Sequence, residues 1–263
     1  MKRIIGAIAG DIIGSIYEGS ANQIKTTVFP LFKDNCIFTD DTVLTIATMA
    51  AILDDRDYTR FYQYFGERYP GRGYGGSFRI WKAMDKPAPY NSWGNGSAMR
   101  VSPIGWVYDT IEETLSEAKR SAEVTHNHRE GIKGAQAIAA AVFLSRKGST
   151  KEHVREFIET RFGYELNRTI EEIRPQYKFD VSCQGYVPES IIAFLDSNDF
   201  ESTIRLAISL GGDSDTLACM AGSIAEAYYA EVSDEVNVEI ARHLPKEMLN
   251  IIDLFSEKYL RYA

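Results

Sequence analysis

Cysteine is scarce in this sequence, and its scarcity limits the sites that the chain can hold. The three cysteines, Cys36, Cys183 and Cys219, are widely spaced and form no Cys-x-x-Cys pair. A chain of 263 residues can bury a large core without disulfides, and an odd number of cysteines does not suit a disulfide framework. The pattern predicts reduced thiols in a cytoplasmic protein.

Long apolar runs and an excess of basic charge are missing as well. The start, Met1-Lys2-Arg3 followed by apolar residues, resembles a signal peptide, but Asp11 interrupts the run and Glu18 stands where a small-residue cleavage site would be. No stretch approaches the roughly 20 apolar residues of a membrane span. The net charge of -8 argues against general binding to nucleic acids or anionic membranes.

Strand signals are also missing, because no run of alternating apolar and polar residues is bounded by turns. Apolar residues instead recur with the helical period along most of the chain. We therefore predict an all-α fold, with residues 1–263 in a single domain of roughly ten to twelve helices of ordinary length. Within residues 2–18, Gly6, Gly10 and Gly14 would share one helix face and allow another backbone to come close.

Two acidic segments carry the clearest chemical signal. The first, residues 39–42 (TDDT), is by itself typical of any helix start, where Thr39 caps the N-terminus and acids favour the helix dipole. The second, residues 211–216 (GGDSDT), holds Asp213 and Asp215 two positions apart after two glycines, which a cap alone does not require. Its oxygen ligands suit Mg²⁺, Mn²⁺ or Ca²⁺ rather than Zn²⁺.

The second segment resembles two other acidic motifs, an EF-hand loop and a phosphatase motif. An EF-hand is excluded, because its loop needs further oxygen ligands and a Glu at the twelfth position, whereas the apolar residues 217–220 follow at once. The Asp-x-Asp motif of aspartyl-phosphate phosphatases stays open as an alternative. That motif, however, directly follows an apolar strand in an α/β fold.

Two further segments are candidates for ligand binding. Residues 94–100 (GNGSAMR), preceded by the glycine-rich residues 71–77, predict a turn whose backbone N–H groups bind phosphate; an ordinary helix start with Ser97 near the cap is the alternative. In residues 125–128 (THNH), the two histidines do not share a helix face, so we expect no joint metal site. His126 then faces a cleft or lies at a solvated helix end.

Taken in order, these motifs resemble the ADP-ribosylglycohydrolase family, which includes the dinitrogenase reductase-activating glycohydrolase and the ADP-ribosyl-arginine and ADP-ribosyl-serine hydrolases. The resemblance spans about residues 4–230 and rests on six motifs: Gly10-Asp11-x-x-Gly14 with Glu18, residues 38–42, residues 94–100, Thr125-His126, residues 184–187 and residues 210–216. It implies an all-α fold with two Mg²⁺ or Mn²⁺ ions at the base of a cleft.

The resemblance also implies roles for single residues. The metal ligands would be Thr39, Asp40 and Asp41 from one side and Asp213, Asp215 and Thr216 from the other, with Asp215 bridging the ions. Glu18 and Asp41 would be the catalytic residues. The substrate-binding residues would be Asn95, Gly96, Ser97, Met99, His126, Gly185 and Tyr186. We therefore expect the two acidic segments to meet in one cleft, although roughly 170 residues separate them.

The activity so implied is metal-dependent cleavage of the glycosidic bond at the ribose of an ADP-ribosylated protein or small ADP-ribosyl conjugate. We expect a monomer. A non-catalytic ADP-ribose-binding protein and a metal-dependent phosphohydrolase are the alternatives. The chain departs from the family in two ways: it is short, and Glu226 and Ala230 interrupt the small residues that usually follow the second acidic segment. The second departure predicts different local packing.

Overall fold

The structure is a computed structural model that describes residues 3–260. These residues form fourteen α-helices and two short 3₁₀ helices, Ser15–Tyr17 and Ser102–Trp106. The α-helices are α1 (Gly6–Gly14), α2 (Asp40–Leu53), α3 (Tyr58–Arg68), α4 (Gly76–Lys82), α5 (Gly96–Met99), α6 (Ile111–Glu123), α7 (Arg129–Arg146), α8 (Lys151–Phe162), α9 (Ile170–Ile173), α10 (Cys183–Asp196), α11 (Phe200–Ser209), α12 (Ser214–Tyr229), α13 (Asp234–His243) and α14 (Lys246–Tyr259).

The predicted all-α class is confirmed. Within residues 3–260 the only strand-like pairing is a single antiparallel bridge between Gly94 and Ser182. The aspartyl-phosphate phosphatase interpretation required an α/β fold, so it loses its structural basis. Over the same residues, no helix has both the length and the apolar character needed to cross a bilayer.

The helices are more numerous and some are shorter than the periodicity predicted. α5 and α9 have four residues each, too few to show a repeat in the sequence. The first helix begins at Gly6 and ends at Gly14, and a 3₁₀ turn then carries the chain to Glu18. Residue 2, where this helix was predicted to begin, lies outside the described residues.

Helix α12 forms the centre of the molecule. Every residue from Ser214 to Ala227 is buried, and α12 packs against α1, α2, α5, α7, α10 and α11. A helix enclosed on all sides needs small or apolar residues around its whole circumference, which α12 has. Because α12 starts directly after Asp213, the acidic segment lies at the end of the most buried helix.

The predicted glycine face brings α1 against α12. A methyl group added at Gly6, Gly10 or Gly14 would overlap the backbone of Gly222, Ala218 or Asp215 respectively. The two helices therefore touch backbone to backbone, as the sequence predicted. This packing sets Asp11 of α1 beside the N-terminal turn of α12.

Glu226 of α12 binds the N-terminus of α1 in this packing. Its buried carboxylate accepts hydrogen bonds from the backbone N–H groups of Ile5 (2.9 Å) and Gly6 (2.7 Å), which begin α1. These N–H groups have no partner within their own helix, and a carboxylate also suits the positive end of the dipole. Ala230 ends α12 in the left-handed region (φ 54°). Glu226 thus stabilises the N-terminus of α1.

Gly10→Ala tests the close approach of α1 to α12. The added methyl meets the backbone of Ala218, which cannot rotate away, so we expect the free energy of unfolding to fall by about 3 kcal/mol or more. Urea denaturation measures the change. Gly75→Ala is the control, because its φ of -57° suits alanine and its methyl would meet no atom within 4 Å. Equal midpoints for the two variants would contradict the packing described here.

Candidate metal and substrate cleft

One cleft collects most of the residues singled out from the sequence. Its cavity has a volume of about 350 Å³. Helix starts and the loops before them supply its walls, with residues drawn from 39–44, 73–78, 90–100 and 213–216, together with Glu18, His126, Phe179 and Val181. Gly73, Gly75 and Gly76 of the glycine-rich residues 71–77 also line the cleft.

The two acidic segments meet in this cleft. Thr216 Oγ1 donates a hydrogen bond to Asp41 Oδ2 at 3.2 Å, across 175 positions of sequence. Asp40 and Asp41 open α2 and Asp215 lies in the first turn of α12, so two helix N-termini converge on the same carboxylates. The expectation that these segments share a cleft is confirmed. Each helix N-terminus contributes roughly half a positive charge, which favours the acids.

Asp11 belongs to the same cluster, although we did not predict it from the sequence as a site residue. Its Oδ1 accepts from Thr39 Oγ1 (2.6 Å), and its Oδ2 accepts from the backbone N–H groups of Thr39 (2.9 Å) and Thr42 (3.0 Å). Asp11, which belongs to α1, thereby holds the first turn of α2 in place. The signal that could have revealed it is an acid within the apolar run of α1, which is fully buried here.

Five of the six carboxylates in this cluster form two groups that share one member. Ligand oxygens of Asp11, Asp41 and Asp215 lie within 4.8 Å of one another, and so do those of Glu18, Asp213 and Asp215. Asp215 is common to both groups. Asp40, the sixth carboxylate, lines the cleft beside Gly73.

Burial raises the pKa of every carboxyl in the cluster, and repulsion from neighbouring acids adds to it at Glu18, Asp40, Asp41 and Asp215. The effect is strongest for Asp40, Asp41 and Asp215, whose pKa lies well above the usual value because burial disfavours the charge and neighbouring acids add to it. The Glu18 carboxylate is exposed to solvent, yet partial desolvation, followed by the charges of Asp213 and Asp11, raises its pKa as well. A cation bound among these carboxyls would favour their charged form and lower their pKa again.

The donor set fits divalent cations of the Mg²⁺ or Mn²⁺ type. All ligand atoms in the two groups are carboxylate oxygens, which such hard cations prefer. The buried Oδ1 of Asp41 has no hydrogen-bond partner among the described residues. A buried carboxylate oxygen without a donor is costly, and a cation would satisfy it.

The predicted substrate-binding residues fall into two sets. Asn95, Gly96, Met99 and His126 line the cleft, and Asn95 Nδ2 also donates to Asp213 Oδ2 at 2.9 Å. The other set lies behind the cleft surface and comprises Ser97, Gly185 and Tyr186.

The residues behind the surface hold the loops in place. Ser97 Oγ donates to the backbone oxygen of Gly131 at 2.8 Å. The Tyr186 hydroxyl accepts from the backbone N–H of Asp213 at 3.0 Å, which connects α10 to the second acidic segment. The backbone oxygen of Gly185 accepts from the Tyr177 hydroxyl at 2.8 Å. In this structure Ser97, Gly185 and Tyr186 thus form hydrogen bonds to other residues of the protein.

The comparisons with known proteins agree with the all-α fold. A family model described as ADP-ribosylglycohydrolase matches residues 2–255. The chain belongs to the ADP-ribosylglycohydrolase family. Among relatives in this family, ADP-ribosylhydrolase ARH3 of Mus musculus is 28% identical over 304 residues, covering 86% of this chain and 82% of the mouse protein. ARH3 of Homo sapiens is 27% identical, covering 86% and 84%.

Two other similarities concern half of the chain or the fold alone. The ADP-ribosylarginine hydrolase Tri1 of Pseudomonas putida is 28% identical over 142 residues, covering 52% of this chain and 38% of Tri1. A solved structure described as an ADP-ribosylglycohydrolase-related protein complex aligns with a TM-score of 0.69 and covers 97% of this chain and 95% of its own. Its identity is 23%, so the likeness concerns the fold alone.

The raised pKa values predict how the stability of the metal-free protein depends on pH. Because the folded carboxyls have higher pKa values than in the unfolded chain, the folded protein binds more protons above pH ~4. The free energy of unfolding in EDTA should therefore fall as pH rises from about 4 through the raised pKa values. Urea denaturation between pH 5 and about 8 measures this slope, and saturating Mg²⁺ should flatten it. Equal slopes with and without Mg²⁺ would contradict the cluster.

Asp215→Asn should change stability in opposite directions with and without metal. In EDTA at pH ~8 the variant loses one repelling charge and should be more stable than the original protein by on the order of 1 kcal/mol. In Mg²⁺ or Mn²⁺ at about a hundred times the dissociation constant, the original protein should gain roughly 2.7 kcal/mol and the variant much less. Thermal melting compares both, with the exposed Asp85→Asn as control. The same order of stability in both buffers would count against a metal role for Asp215.

Proposed function

We propose that this protein is a metal-dependent hydrolase that cleaves the glycosidic bond at the ribose of ADP-ribose conjugates and so reverses ADP-ribosylation. The observation that carries the proposal is the pair of carboxylate groups that share Asp215 at the base of the cleft. Membership of the ADP-ribosylglycohydrolase family supports the reaction class. The names of ARH3 and Tri1 support an ADP-ribosylated protein or a small ADP-ribosyl conjugate as substrate.

Two divalent cations, Mg²⁺ or Mn²⁺, are the cofactors in this proposal. Their ligands would be Thr39, Asp40 and Asp41 from α2 and its cap, and Asp213, Asp215 and Thr216 from α12 and its cap. Asp215 would bridge them, since it is the member common to both groups. When bound, such ions orient sugar hydroxyls and lower the pKa of water.

Asp11 would support this ligand set from behind. Both of its oxygens accept hydrogen bonds from Thr39 or Thr42, and the Thr39 hydroxyl gives its proton to Asp11. Thr39 Oγ1 also accepts from the backbone N–H of Asp41 at 3.3 Å, which leaves one lone pair for the cleft side. Such orientation of a ligand by a neighbouring acid is a general feature of metal sites.

Glu18 and Asp41 would act on the reacting bond. Glu18 is the accessible acid of the cluster, and its raised pKa suits a group that gives or takes a proton near neutral pH. Asp41 is buried, its Oδ2 is held by Thr216, and its Oδ1 stays free. Cleavage at an anomeric carbon passes through a positively charged, oxocarbenium-like state. The surrounding carboxylates would stabilise that charge.

Residues 94–100, together with His126, would hold the rest of the substrate. Asn95, Gly96, Met99 and His126 line the cleft beside the acids, so they would contact the diphosphate and the ribose. Ser97, Gly185 and Tyr186 would support those contacts from behind. We further propose one domain spanning residues 1–263, acting as a monomer in the cytoplasm, in keeping with three free cysteines that are all buried.

A release assay separates this function from its alternatives. The protein is incubated with defined ADP-ribosyl-arginine and ADP-ribosyl-serine peptides in Mg²⁺ or Mn²⁺, and the products are separated by chromatography. Free ADP-ribose supports the proposal. Inorganic phosphate would indicate a phosphohydrolase, and tight binding without product would indicate a binding protein.

Glu18→Gln should separate cleavage from binding. The amide cannot exchange a proton, so turnover should fall by about 10²-fold or more, the usual scale for acid–base groups. The affinity for ADP-ribose, measured by isothermal titration in Mg²⁺, should change much less. Glu171→Gln, an exposed acid on α9, is the control and should leave both values unchanged. A proportional loss of turnover and affinity would make Glu18 a binding or structural residue.

A further inference from the structure

Arg100 is a fully buried cation in the wall of the cleft. Its guanidinium stacks over the Tyr62 ring, 4.0 Å from the centroid, and Nη2 donates to Thr125 Oγ1 at 2.6 Å and to the backbone oxygen of Ser121 at 3.4 Å. Its Nε and Nη1 are buried without a partner among the described residues. An arginine buried at such cost calls for an explanation in the site that it borders.

The hydroxyl of Thr125 links Arg100 to His126. Thr125 Oγ1 lies 2.7 Å from His126 Nδ1. A guanidinium only donates hydrogen bonds, so Thr125 Oγ1 must accept from Arg100 and has its own hydrogen left to give. Three acceptors lie near that hydrogen: His126 Nδ1, the backbone oxygen of Ala122 at 3.5 Å, and the hydroxyl of Tyr90. The phenol oxygen of Tyr90 is a weaker acceptor than an imidazole nitrogen, which leaves the first two.

The backbone oxygen of Ala122 is the poorer acceptor of the two. It already accepts the backbone N–H groups of Thr125 (3.1 Å) and His126 (2.8 Å), which occupy its two lone pairs. The 3.5 Å distance is also beyond the range of a good O–H···O bond. The Thr125 hydrogen therefore goes to His126 Nδ1.

This direction fixes the protonation of the imidazole ring. If Nδ1 accepts a hydrogen bond, the neutral ring carries its hydrogen on Nε2. Burial, and then the charge of Arg100, lowers the pKa of His126 well below its usual value, so the ring stays neutral. Nε2 faces residues 94–96. A methyl group added at Gly96 would lie 3.3 Å from Nε2, and one added at Gly94 would lie 3.7 Å from it.

We propose that Arg100 and Thr125 are positioning residues that hold His126 in the Nε2–H form, as a neutral hydrogen-bond donor to an oxygen of ADP-ribose beside Gly94 and Gly96. The proposal rests on the proposed function for its ligand. The chain of donors runs Arg100 Nη2 to Thr125 Oγ1, Thr125 Oγ1 to His126 Nδ1, and His126 Nε2 to the ligand oxygen. The buried positive charge behind the ring favours an acceptor that is anionic, such as a diphosphate oxygen.

The tautomer of His126 is the first test, and it needs no ligand. Long-range ¹H–¹⁵N correlation spectra of ¹⁵N-histidine-labelled protein distinguish Nε2–H from Nδ1–H, and His126→Asn assigns the signal among the four histidines. We expect the Nε2–H form in the original protein and a mixture of both tautomers in Thr125→Val. Thr125→Ser keeps the hydroxyl and should restore the Nε2–H form. An Nδ1–H or doubly protonated ring in the original protein at pH ~7 would overturn the proposal.

Affinity for ADP-ribose is the second test. Isothermal titration in Mg²⁺ should give a dissociation constant about 5-fold higher for Thr125→Val, the scale of one neutral hydrogen bond, and a value within about twofold for Thr125→Ser. Thr114→Val is the matched control, because Thr114 is fully buried on α6 and donates only to the backbone oxygen of Thr110. Thr114→Val should change neither the tautomer of His126 nor the affinity for ADP-ribose.

The two tests separate the failure of this proposal from the failure of the proposed function. If the original protein does not bind ADP-ribose, the function and the ligand assigned to His126 are overturned, while the ligand-free spectra still decide the donor chain. If ADP-ribose binds and Thr125→Val changes neither the spectrum nor the affinity, the positioning role is overturned. A variant that is merely less stable, with an unchanged tautomer, would also overturn it.

Discussion

Repulsion among six carboxylates in one cleft is the constraint that the surrounding structure has to offset. The chain offsets part of it with neutral donors: Thr39 and Thr42 bind Asp11, Thr216 binds Asp41, and Asn95 binds Asp213. The N-termini of α2 and α12 add about half a positive charge each. Two divalent cations would bring the total close to neutral. The raised pKa values describe the cluster without those cations, and they explain why metal binding and folding should be coupled.

The contact between α1 and α12 connects this site to the core. Asp11 binds the first turn of α2 because α1 lies at backbone distance from α12, and only glycine at positions 6, 10 and 14 allows that distance. Glu226 anchors the N-terminus of α1 from the same helix. If α1 moved outward by the width of a methyl group, Asp11 would lose its hydrogen bonds to Thr39 and Thr42. The hydrogen bonds of Asp11 in the acidic site therefore depend on the packing of α1 against α12.

The sequence allowed us to predict those parts that depend on local pattern. The all-α class followed from periodicity, the cap at Thr39 from its side chain, and the close packing at Gly10 from the fourfold spacing. The meeting of the two acidic segments followed from the order of motifs in the family. Asp11 was missed because its partners are 28 and 31 positions away: its place in the apolar run of α1 indicates burial, but it does not identify those partners. The short helix α9 was missed because four residues contain one turn.

The charges in the cleft differ between its two ends, and this division would suit ADP-ribose, the ligand of the proposed function. Carboxylates occupy one end, where cations and a ribose would lie, while Arg100 and a neutral His126 occupy the glycine-rich end. A positively charged imidazole there would pair with the acids and hold the cleft closed to anions. A ring kept neutral by burial and by Arg100 can instead donate to an anionic oxygen without attracting the carboxylates. Asn95, which binds Asp213 and lines the same segment, marks the boundary between the two ends. A ligand that is anionic at its centre and bears a metal-binding sugar at one end satisfies both ends at once, which an isolated phosphate or a neutral sugar does not.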